Sequence, residues 1–477
     1  MPMNLANNPA AAASATPPAN LRWVLGSLAL GMLLPSLGTS IASVALPTLA
    51  EAFHASFQQL QWVVLAYLLA STTLIVSVGR LGDLVGRRRL LLAGIALFTI
   101  ASGACGMADR LWLLIAARAA QGLGAAVMLT LTMALVGEAV PKARTGSAMG
   151  LLGTMSAVGT ALGPSLGGVL IAHFGWQAIF WVNLPLGVLA LCLVWRHLPA
   201  DRAAKQPAMA RPGFDHAGTV LLALTLAAYA MAMTWGRGHL GTLNLMLLAA
   251  AGLGGALFIA AERRAASPLI RLARFREPAL RASLAMSALV ATVIMTTFVV
   301  GPFYLAHALH LSTAQVGLAL AVGPVISSLT GLPAGRSVDR FGAARVTRFG
   351  LGAMMAGCLA LCLAPSAFGI AGYLVPLALL TVGYALFQAA NNTAVMADVA
   401  ADQRGVISGL LNLSRNLGLI TGASLMGAVF AWGVGATDFG MAKPGAVAHG
   451  MRVTFAVAAG LLVLGLALSR KRRSHGC

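Results

Sequence analysis

Fourteen long apolar runs follow one another along this sequence, and short polar segments separate them. Each run has about 20 residues or more, the length at which an α-helix crosses the hydrocarbon core of a bilayer. Hydrophobic residues make up 59% of the 477 residues, and charged residues only 9%. A chain with this pattern and composition is predicted to be an all-α polytopic membrane protein.

The basic residues indicate how these spans are oriented, because short loops rich in Lys and Arg stay in the cytoplasm. The predicted spans 1 to 14 lie near 23–47, 58–79, 90–108, 110–137, 145–172, 178–197, 216–235, 242–261, 280–306, 313–334, 345–365, 372–397, 405–433 and 451–470. If both termini are cytoplasmic, four of the 32 Lys and Arg lie outside (Arg110, Arg237, Lys443 and Arg452) and two lie within spans (Arg118 and Arg415), which leaves 26 inside. We therefore interpret the formal net charge of +20 as a topology signal, and expect no nucleic-acid partner.

Two internal repeats relate the beginning of the chain to its end. The segment TGSAMGLLGTMSAVGTALGPSLGG at 145–168 aligns with RGVISGLLNLSRNLGLITGASLMG at 404–427, an offset of 259 residues. At an offset of 256, a second set of matches pairs Gly79, Asp83 and Gly86 with Gly335, Asp339 and Gly342. Two nearly equal offsets indicate two related halves of six spans each.

These repeats define the predicted domain organisation. An N-terminal six-helix bundle covers 23–197, and a C-terminal six-helix bundle covers 280–470. The linker 198–279 contributes spans 7 and 8, which we expect to pack outside the two bundles. Residues 1–22 are predicted to form a disordered cytoplasmic tail, since Ala, Pro, Asn and Ser dominate them. Residues 471–477 form a basic cytoplasmic tail.

The polar stretch GRLGDLVGRRRL, between spans 2 and 3, has its own signature in Gly79, Asp83, Gly86, Arg87 and Arg88. Glycine permits a tight turn between helix ends, and a carboxylate can accept hydrogen bonds from a helix N-terminus or a guanidinium. The pattern closely resembles the loop between helices 2 and 3 of the major facilitator superfamily of secondary transporters. This resemblance implies the major facilitator fold and a latch that closes the cytoplasmic side. The alternative interpretation is a simple basic membrane anchor.

Span 5 carries a run of small residues at Gly159, Gly163, Pro164, Gly167 and Gly168. Small residues at this spacing let helices pack closely in lipid, and proline softens a helix where it bends. Simple helix packing is one interpretation. The run also resembles the motif that exporters of the superfamily carry on helix 5 and that importers usually lack, and this resemblance favours export over uptake.

Span 4 places Arg118 near the middle of the membrane, followed by Gln121. An arginine at this depth costs at least about 2.5–3.5 kcal/mol on insertion scales, so it is expected to face the cavity or a partner. The segment resembles the helix 4 motif of the superfamily, in which the arginine is associated with proton transfer. A purely structural hydrogen-bonding role is the alternative.

Further segments narrow the resemblance to the fourteen-helix drug:proton antiporter family. They are Gln61-Trp62-Val63 with Tyr67 in span 2, WQAIFWVNLPLG at 176–187, and Phe214-Asp215-His216-Ala217-Gly218 at the start of span 7. The resemblance extends over about 23–470 and implies protons as a partner and a bacterial inner membrane as the location.

One position departs from that family, because many of its members carry an aspartate where this chain has Gly38. None of the twelve acidic residues falls at the middle of a predicted span. A carrier coupled to protons needs a group whose pKa changes as its surroundings alternate between dry and wet. Glu138, near the cytoplasmic end of span 4, and Asp83 are the best titratable candidates. The alternative for Glu138 is an interfacial carboxylate solvated near Lys142 or Arg144.

Arg415 lies about ten residues into span 13, close to mid-membrane. With Arg118 it would make the cavity neutral or positive, which predicts neutral, zwitterionic or anionic substrates. The remaining candidates for lining the cavity are uncharged polar residues, namely Tyr67, Gln121, Gln388, Asn391 and Asn392. Hydrogen bonding between helices is an equally good explanation for the amides, and an interfacial or packing role is an equally good explanation for Tyr67.

The sequence therefore predicts a secondary transporter that exports small amphipathic compounds such as drugs or toxic metabolites, by alternating access and proton antiport. The alternative is an exporter of a specific neutral or anionic metabolite that need not be coupled to protons. We expect no cofactor, no metal site and no enzymatic activity, since the spans contain no cluster of His, Asp, Glu or Cys. We expect a monomer in the lipid bilayer.

Overall fold

A computed structural model describes residues 21–140, 145–199, 215–235, 241–265, 277–363, 368–396, 404–435 and 442–471. Every regular element within these ranges is helical. The helices are α1 (Leu21–Val44), α2 (Leu46–Phe53), α3 (Phe57–Val85), α4 (Arg87–Gly106), α5 (Leu111–Ala139), α6 (Thr145–Phe174), α7 (Ala178–Trp181), α8 (Asn183–His197), α9 (His216–Thr234), α10 (Thr242–Arg264), α11 (Pro278–Phe303), α12 (Thr313–Phe341), α13 (Ala343–Leu363), α14 (Ala371–Met396), α15 (Arg404–Thr421), α16 (Gly427–Val434) and α17 (Pro444–Lys471). Two π-helical segments, Tyr304–Ala308 and Gly422–Met426, follow α11 and α15.

Among the described residues, 13 helical segments are long and apolar enough to cross a membrane. They coincide with predicted spans 1 and 3 to 14. Predicted span 2 lies within α3, in which the side chains of Val76, Arg80 and Asp83 are outside the described residues. The prediction of an all-α, multi-pass membrane protein is thus confirmed. The predicted tails fall almost wholly outside the described residues.

The second repeat is visible in the structure as two matching helices. Both α3 and α12 have 29 residues, and their limits differ by the same 256 positions. Each begins with a capping box, Ser56 with Gln59 and Ser312 with Gln315, which satisfies free backbone N–H groups at the helix start. Each ends at a glycine.

The first repeat, between 145–168 and 404–427, is visible in the structure as two matching helix–helix contacts. Gly159 of α6 lies against the backbone of Leu33 in α1. Its counterpart Gly418 in α15 lies against the backbone of Ala288 in α11. The pair α1 and α6 is therefore repeated by the pair α11 and α15. Small residues let the backbones approach closely in both places.

The polar stretch at 79–90 forms a much shorter turn than its twelve residues suggest. Helix α3 continues to Val85 and α4 starts at Arg87, so Gly86 alone lies between them. Gly86 has a φ of 103° and its repeat partner Gly342 a φ of 81°. Positive φ is easily accessible to glycine, and the chain therefore changes direction within one residue. We call the end of the molecule that carries the Gly86 turn the latch end, and the opposite end, where α3 begins, the outer end.

Candidate functional site

Arg118 of α5 is fully buried, and its hydrogen-bond partners lie in α1, in α3 and in α5 itself. Its Nε donates to the carbonyl oxygen of Val63 in α3 at 2.9 Å. Its Nη1 donates to the carbonyl oxygen of Gly38 in α1 at 3.0 Å, and also to Oε1 of Gln121 in α5. All three acceptors are neutral, so oriented dipoles stabilise the guanidinium. Its Nη2 has no hydrogen-bond partner among the described residues.

An aromatic ring and a serine hydroxyl complete the surroundings of Arg118. The guanidinium carbon lies 4.4 Å from the centroid of the Tyr67 ring, a cation–π distance. The Tyr67 hydroxyl donates to the carbonyl oxygen of Pro35 at 2.9 Å. Gln121 Nε2 donates to Ser102 Oγ of α4 at 2.7 Å. We call Arg118, Gln121, Tyr67 and Ser102 the arginine cluster. Tyr67 and Gln121, predicted as cavity residues, are both buried within it.

Gly38 lies at the edge of the arginine cluster. A Cβ at this position would be 3.2 Å from Cζ of Phe98 and 3.9 Å from Nε2 of Gln121. A side chain at position 38 would therefore point toward the amide that binds Arg118. The position that carries an acid in the resembling family thus faces the arginine cluster, and here it offers only its carbonyl oxygen.

Arg415 lies in the second half and, unlike Arg118, it is exposed. Its helix α15 has one buried apolar face, on which Leu410, Ser414 and Gly418 pack toward α11. The Ser414 hydroxyl donates to the carbonyl oxygen of Leu284. An exposed charge inside a membrane-spanning helix is stable only where water reaches it. The Arg415 face of α15 is therefore the better candidate for a water-filled cavity.

The three predicted amides of α14 differ in their surroundings. Asn391 is buried, and its Nδ2 donates to the carbonyl oxygen of Ser283 in α11 at 3.4 Å, which is a helix-to-helix role. Gln388 is half-buried, and Asn392 is exposed. Of these three amides, only Gln388 and Asn392 keep an accessible side chain.

At the latch end, Arg88 donates to the carbonyl oxygen of Trp195 and so connects the start of α4 to the end of α8. A Cβ at Gly79 would meet open space. Arg87 lies in the first turn of α4. The side chains of Asp83 and Glu138 lie outside the described residues, and their predicted roles are carried by the sequence alone.

The small-residue motif of α6 has two contact faces. Gly159, Gly163 and Gly167 pack against α1, where a Cβ on Gly163 would overlap Ser40 Oγ. Pro164 and Gly168 lie instead against α12 of the other half. A Cβ on Gly317 of α12 would overlap the Pro164 carbonyl oxygen and lie 2.9 Å from Gly168 Cα. The predicted packing motif is thus also a contact between the two halves.

Two further contacts join the halves at the outer end. Gln61 of α3 donates to the carbonyl oxygen of Ala423 in the π-helical segment. The Phe57 ring packs against Phe303 and Phe430, with centroids 4.9 and 5.6 Å away. We call these contacts, together with those of Gly168 and Gly317, the inter-half contact. In the sequence, Gln61 was recognisable only as part of a motif and Gly317 was not recognisable as a contact, although both lie in the outer turns of helices related by the repeat.

The repeated helices and the buried arginine of α5 can now be compared with known families. The Major Facilitator Superfamily sequence pattern matches residues 28–423. The chain belongs to this superfamily. It is therefore a transporter of small molecules across a membrane, in agreement with the predicted fold and function class.

Individual relatives agree with this assignment. The chain is 33% identical over 414 residues to "Multidrug resistance protein Stp" of Mycobacterium tuberculosis, covering 86% of this chain and 75% of that protein. It is 30% identical over 430 residues to the "Tetracenomycin C resistance and export protein" of Streptomyces glaucescens, covering 88% and 78%. The crystal structure of a D-xylose-proton symporter has the same fold, with a TM-score of 0.70 at 15% identity over 95% of this chain and 98% of that one.

The two intramembrane arginines have different surroundings in this structure. The Nε and Nη1 atoms of Arg118 donate to carbonyl and amide oxygens of the first half. Only its Nη2 has no acceptor among the described residues. Arg415 is accessible on the second half. The sequence suggested similar environments for both, because depth can be counted along a helix, whereas the face on which a neighbour packs cannot.

Proposed function

We propose that this major facilitator protein is a fourteen-span exporter of small amphipathic compounds, driven by proton antiport. The observation that carries the proposal is the small-residue motif of α6, which resembles that of exporters and lies between α1 and α12. The similarity to a multidrug resistance protein and to an export protein supports it. The protein acts as a monomer in a bacterial inner membrane, with both termini in the cytoplasm.

Transport proceeds by rocking of two six-helix halves, at 23–197 and 280–470. In the state described, the inter-half contact closes the outer end. The latch residues Asp83, Arg87 and Arg88 close the opposite end when the halves rock. The arginine cluster is held by carbonyls of α1 and α3, so a movement of either helix changes the surroundings of Arg118.

The proton enters through a carboxylate at the latch end, since Gly38 supplies no acid beside Arg118. Glu138 lies on the same helix as Arg118, and Asp83 is the second candidate. An acid at a helix C-terminus opposes the helix dipole, and this position favours its protonation. Coupling would then run along α5 from Glu138 to the arginine cluster.

Replacing Glu138 by Gln is expected to remove the response of transport to a proton gradient and to leave downhill transport in place, since glutamine cannot release a proton. The measurement is efflux of a lipophilic dye from proteoliposomes, with and without an imposed gradient. Arg118→Ala is compared in the same assay. Glu51→Gln, on the exposed end of α2, is the control and should respond like the wild type. If Glu138→Gln still follows the gradient, Glu138 is not the coupling acid. Wild-type transport that ignores the gradient would refute antiport.

The exposed Arg415 favours a second candidate, export of a neutral or anionic metabolite. Arg415→Ala is expected to raise KM about tenfold for organic anions and to leave neutral dyes unchanged, because a hydrogen bond to a charged group contributes about 1.5–3 kcal/mol. Competition uptake into inverted vesicles measures this difference. Arg345→Ala, on the exposed start of α13, is the matched control. Equal KM values for both variants would make Arg415 a structural residue.

A further inference from the structure

The inserted helix α9 packs along the boundary between the two halves, against α3 on one side and the π-helical segment Gly422–Met426 on the other. Leu222, Leu226 and Ala230, four residues apart, form its buried stripe. Leu224, on the opposite face, is 62% exposed. A helix with one buried stripe is fixed in rotation about its axis, so the polar groups beside that stripe have defined partners.

Two hydrogen bonds attach α9 to the first half. The hydroxyls of Ser77 and Thr219 share a hydrogen bond of 2.9 Å. Near the outer end, Trp62 Nε1 donates to Thr234 Oγ1 at 3.1 Å. The two partners on α3 are 15 residues apart, and so are the two on α9. Both helices therefore advance by the same length between the bonds, about 22 Å. Antiparallel helices joined at two such points move as one body.

A different bond attaches α9 to the second half. The Tyr229 hydroxyl donates to Thr421 Oγ1 at 3.2 Å, at the last residue of α15. The π-helical segment begins directly afterwards, and Gln61 of α3 binds Ala423 within it. Short π-helical segments are rare and frequently occur at functional sites. The body formed by α3 and α9 thus binds the same segment of the second half at two points.

The second inserted helix depends on the first for its position. Asn244 at the start of α10 donates from Nδ2 to the carbonyl oxygens of Ala232 and Trp235, at 2.7 and 2.8 Å. Helix α10 packs mainly on α9 and buries little of its own surface. The pair α9 and α10 therefore moves with whatever holds α9.

We propose that α9 is a clamp on the inter-half contact, and that Tyr229 is the positioning residue that closes it. This inference rests on the alternating access proposed above. When the halves rock, the two bonds to α3 persist, and the bond from Tyr229 to Thr421 must break for the outer end to open. The inserted helices α9 and α10 then shift the equilibrium between the states with a closed and an open outer end, in addition to connecting the two halves.

The test is the distance across the outer end in the full-length protein. Spin labels at Ala52→Cys and Ala371→Cys, both exposed positions in different halves, are introduced with the other reactive cysteines (Cys192, Cys362 and Cys477) replaced by Ser. Pulsed electron–electron double resonance in nanodiscs then measures the distance between the two labels and the fractions of molecules with a short and a long distance. Tyr229→Phe keeps the ring and removes only the hydroxyl. We expect it to raise the long-distance population roughly two- to tenfold, the effect of one neutral hydrogen bond.

Three comparisons make the result specific. Thr421→Val should shift the populations in the same direction as Tyr229→Phe, and the double variant should add little, since both remove the bond between Tyr229 and Thr421. Ser77→Ala should leave the populations unchanged, because the bond between Ser77 and Thr219 persists in both states and its loss affects them equally. Tyr384→Phe, a half-buried tyrosine of α14, controls for hydroxyl loss elsewhere. Unchanged populations in Tyr229→Phe, or an equal shift in Ser77→Ala, would overturn the clamp alone. A single distance in every variant, with and without a gradient, would overturn alternating access and the clamp together.

Discussion

Arg118→Lys is expected to lower the transport rate at least about tenfold, although the positive charge is kept. The lysine ammonium is a compact point charge and cannot reproduce the planar fork of arginine. It could not donate to the carbonyl oxygens of Val63 and Gly38 and to Gln121 at the same time. A hydrogen bond from a charged group contributes about 1.5–3 kcal/mol, and about 1.4 kcal/mol already corresponds to a factor of ten. Initial rates in proteoliposomes, normalised to the reconstituted protein, measure the loss.

A loss of fold must be separated from a loss of transport. The thermal midpoint of each variant in lipid nanodiscs is therefore measured beside its rate. Arg345→Lys is the matched control, because Arg345 is exposed at the start of α13 and water can solvate either side chain. We expect that control to transport at close to the wild-type rate. A folded Arg118→Lys protein with wild-type rates would show that charge alone suffices and that the carbonyl partners are incidental.

The case of Arg118 shows how far sequence reasoning extends. Its burial in the membrane and its need for a partner follow from the cost of an intramembrane charge. Its partners do not follow, because two of the three are backbone carbonyls, which every residue carries. Tyr67 and Gln121 were identified as important polar residues and were expected to line a cavity. Only the packing of α1, α3 and α4 around α5 shows that they bind the arginine.

The fold was more predictable than its contacts. Repeated glycines in the sequence correspond to repeated turns at Gly86 and Gly342 and to repeated helices α3 and α12. The polar residues before Gly86 were assigned to the connection between spans 2 and 3, because polarity cannot distinguish a turn from a helix end at a membrane surface. Contacts such as that from Gln61 to Ala423 join residues 362 positions apart, and no local pattern encodes them.

Gly317→Ala is expected to open the outer end. The added methyl group would overlap the Pro164 carbonyl oxygen and crowd Gly168, both on the backbone of α6 in the other half. Backbone atoms cannot turn away as a side chain does, so the halves must separate. Overpacking costs about 1–3 kcal/mol. If the open state avoids this cost, its population rises by roughly 5- to 150-fold relative to the closed state.

The matched control lies on the same helix. Gly331→Ala adds the same methyl group to α12 where nothing lies within 4 Å. Both variants gain the same helix propensity, so their difference isolates the contact between halves. Accessibility of a single cysteine at Ala314 to a membrane-impermeant thiol reagent, added from outside, measures the opening. We expect faster labelling and slower net export in Gly317→Ala, and neither in Gly331→Ala. Equal labelling of both variants would mean that the contact between α6 and α12 does not hold the outer end closed. The small residues where these two helices cross would then matter only for packing.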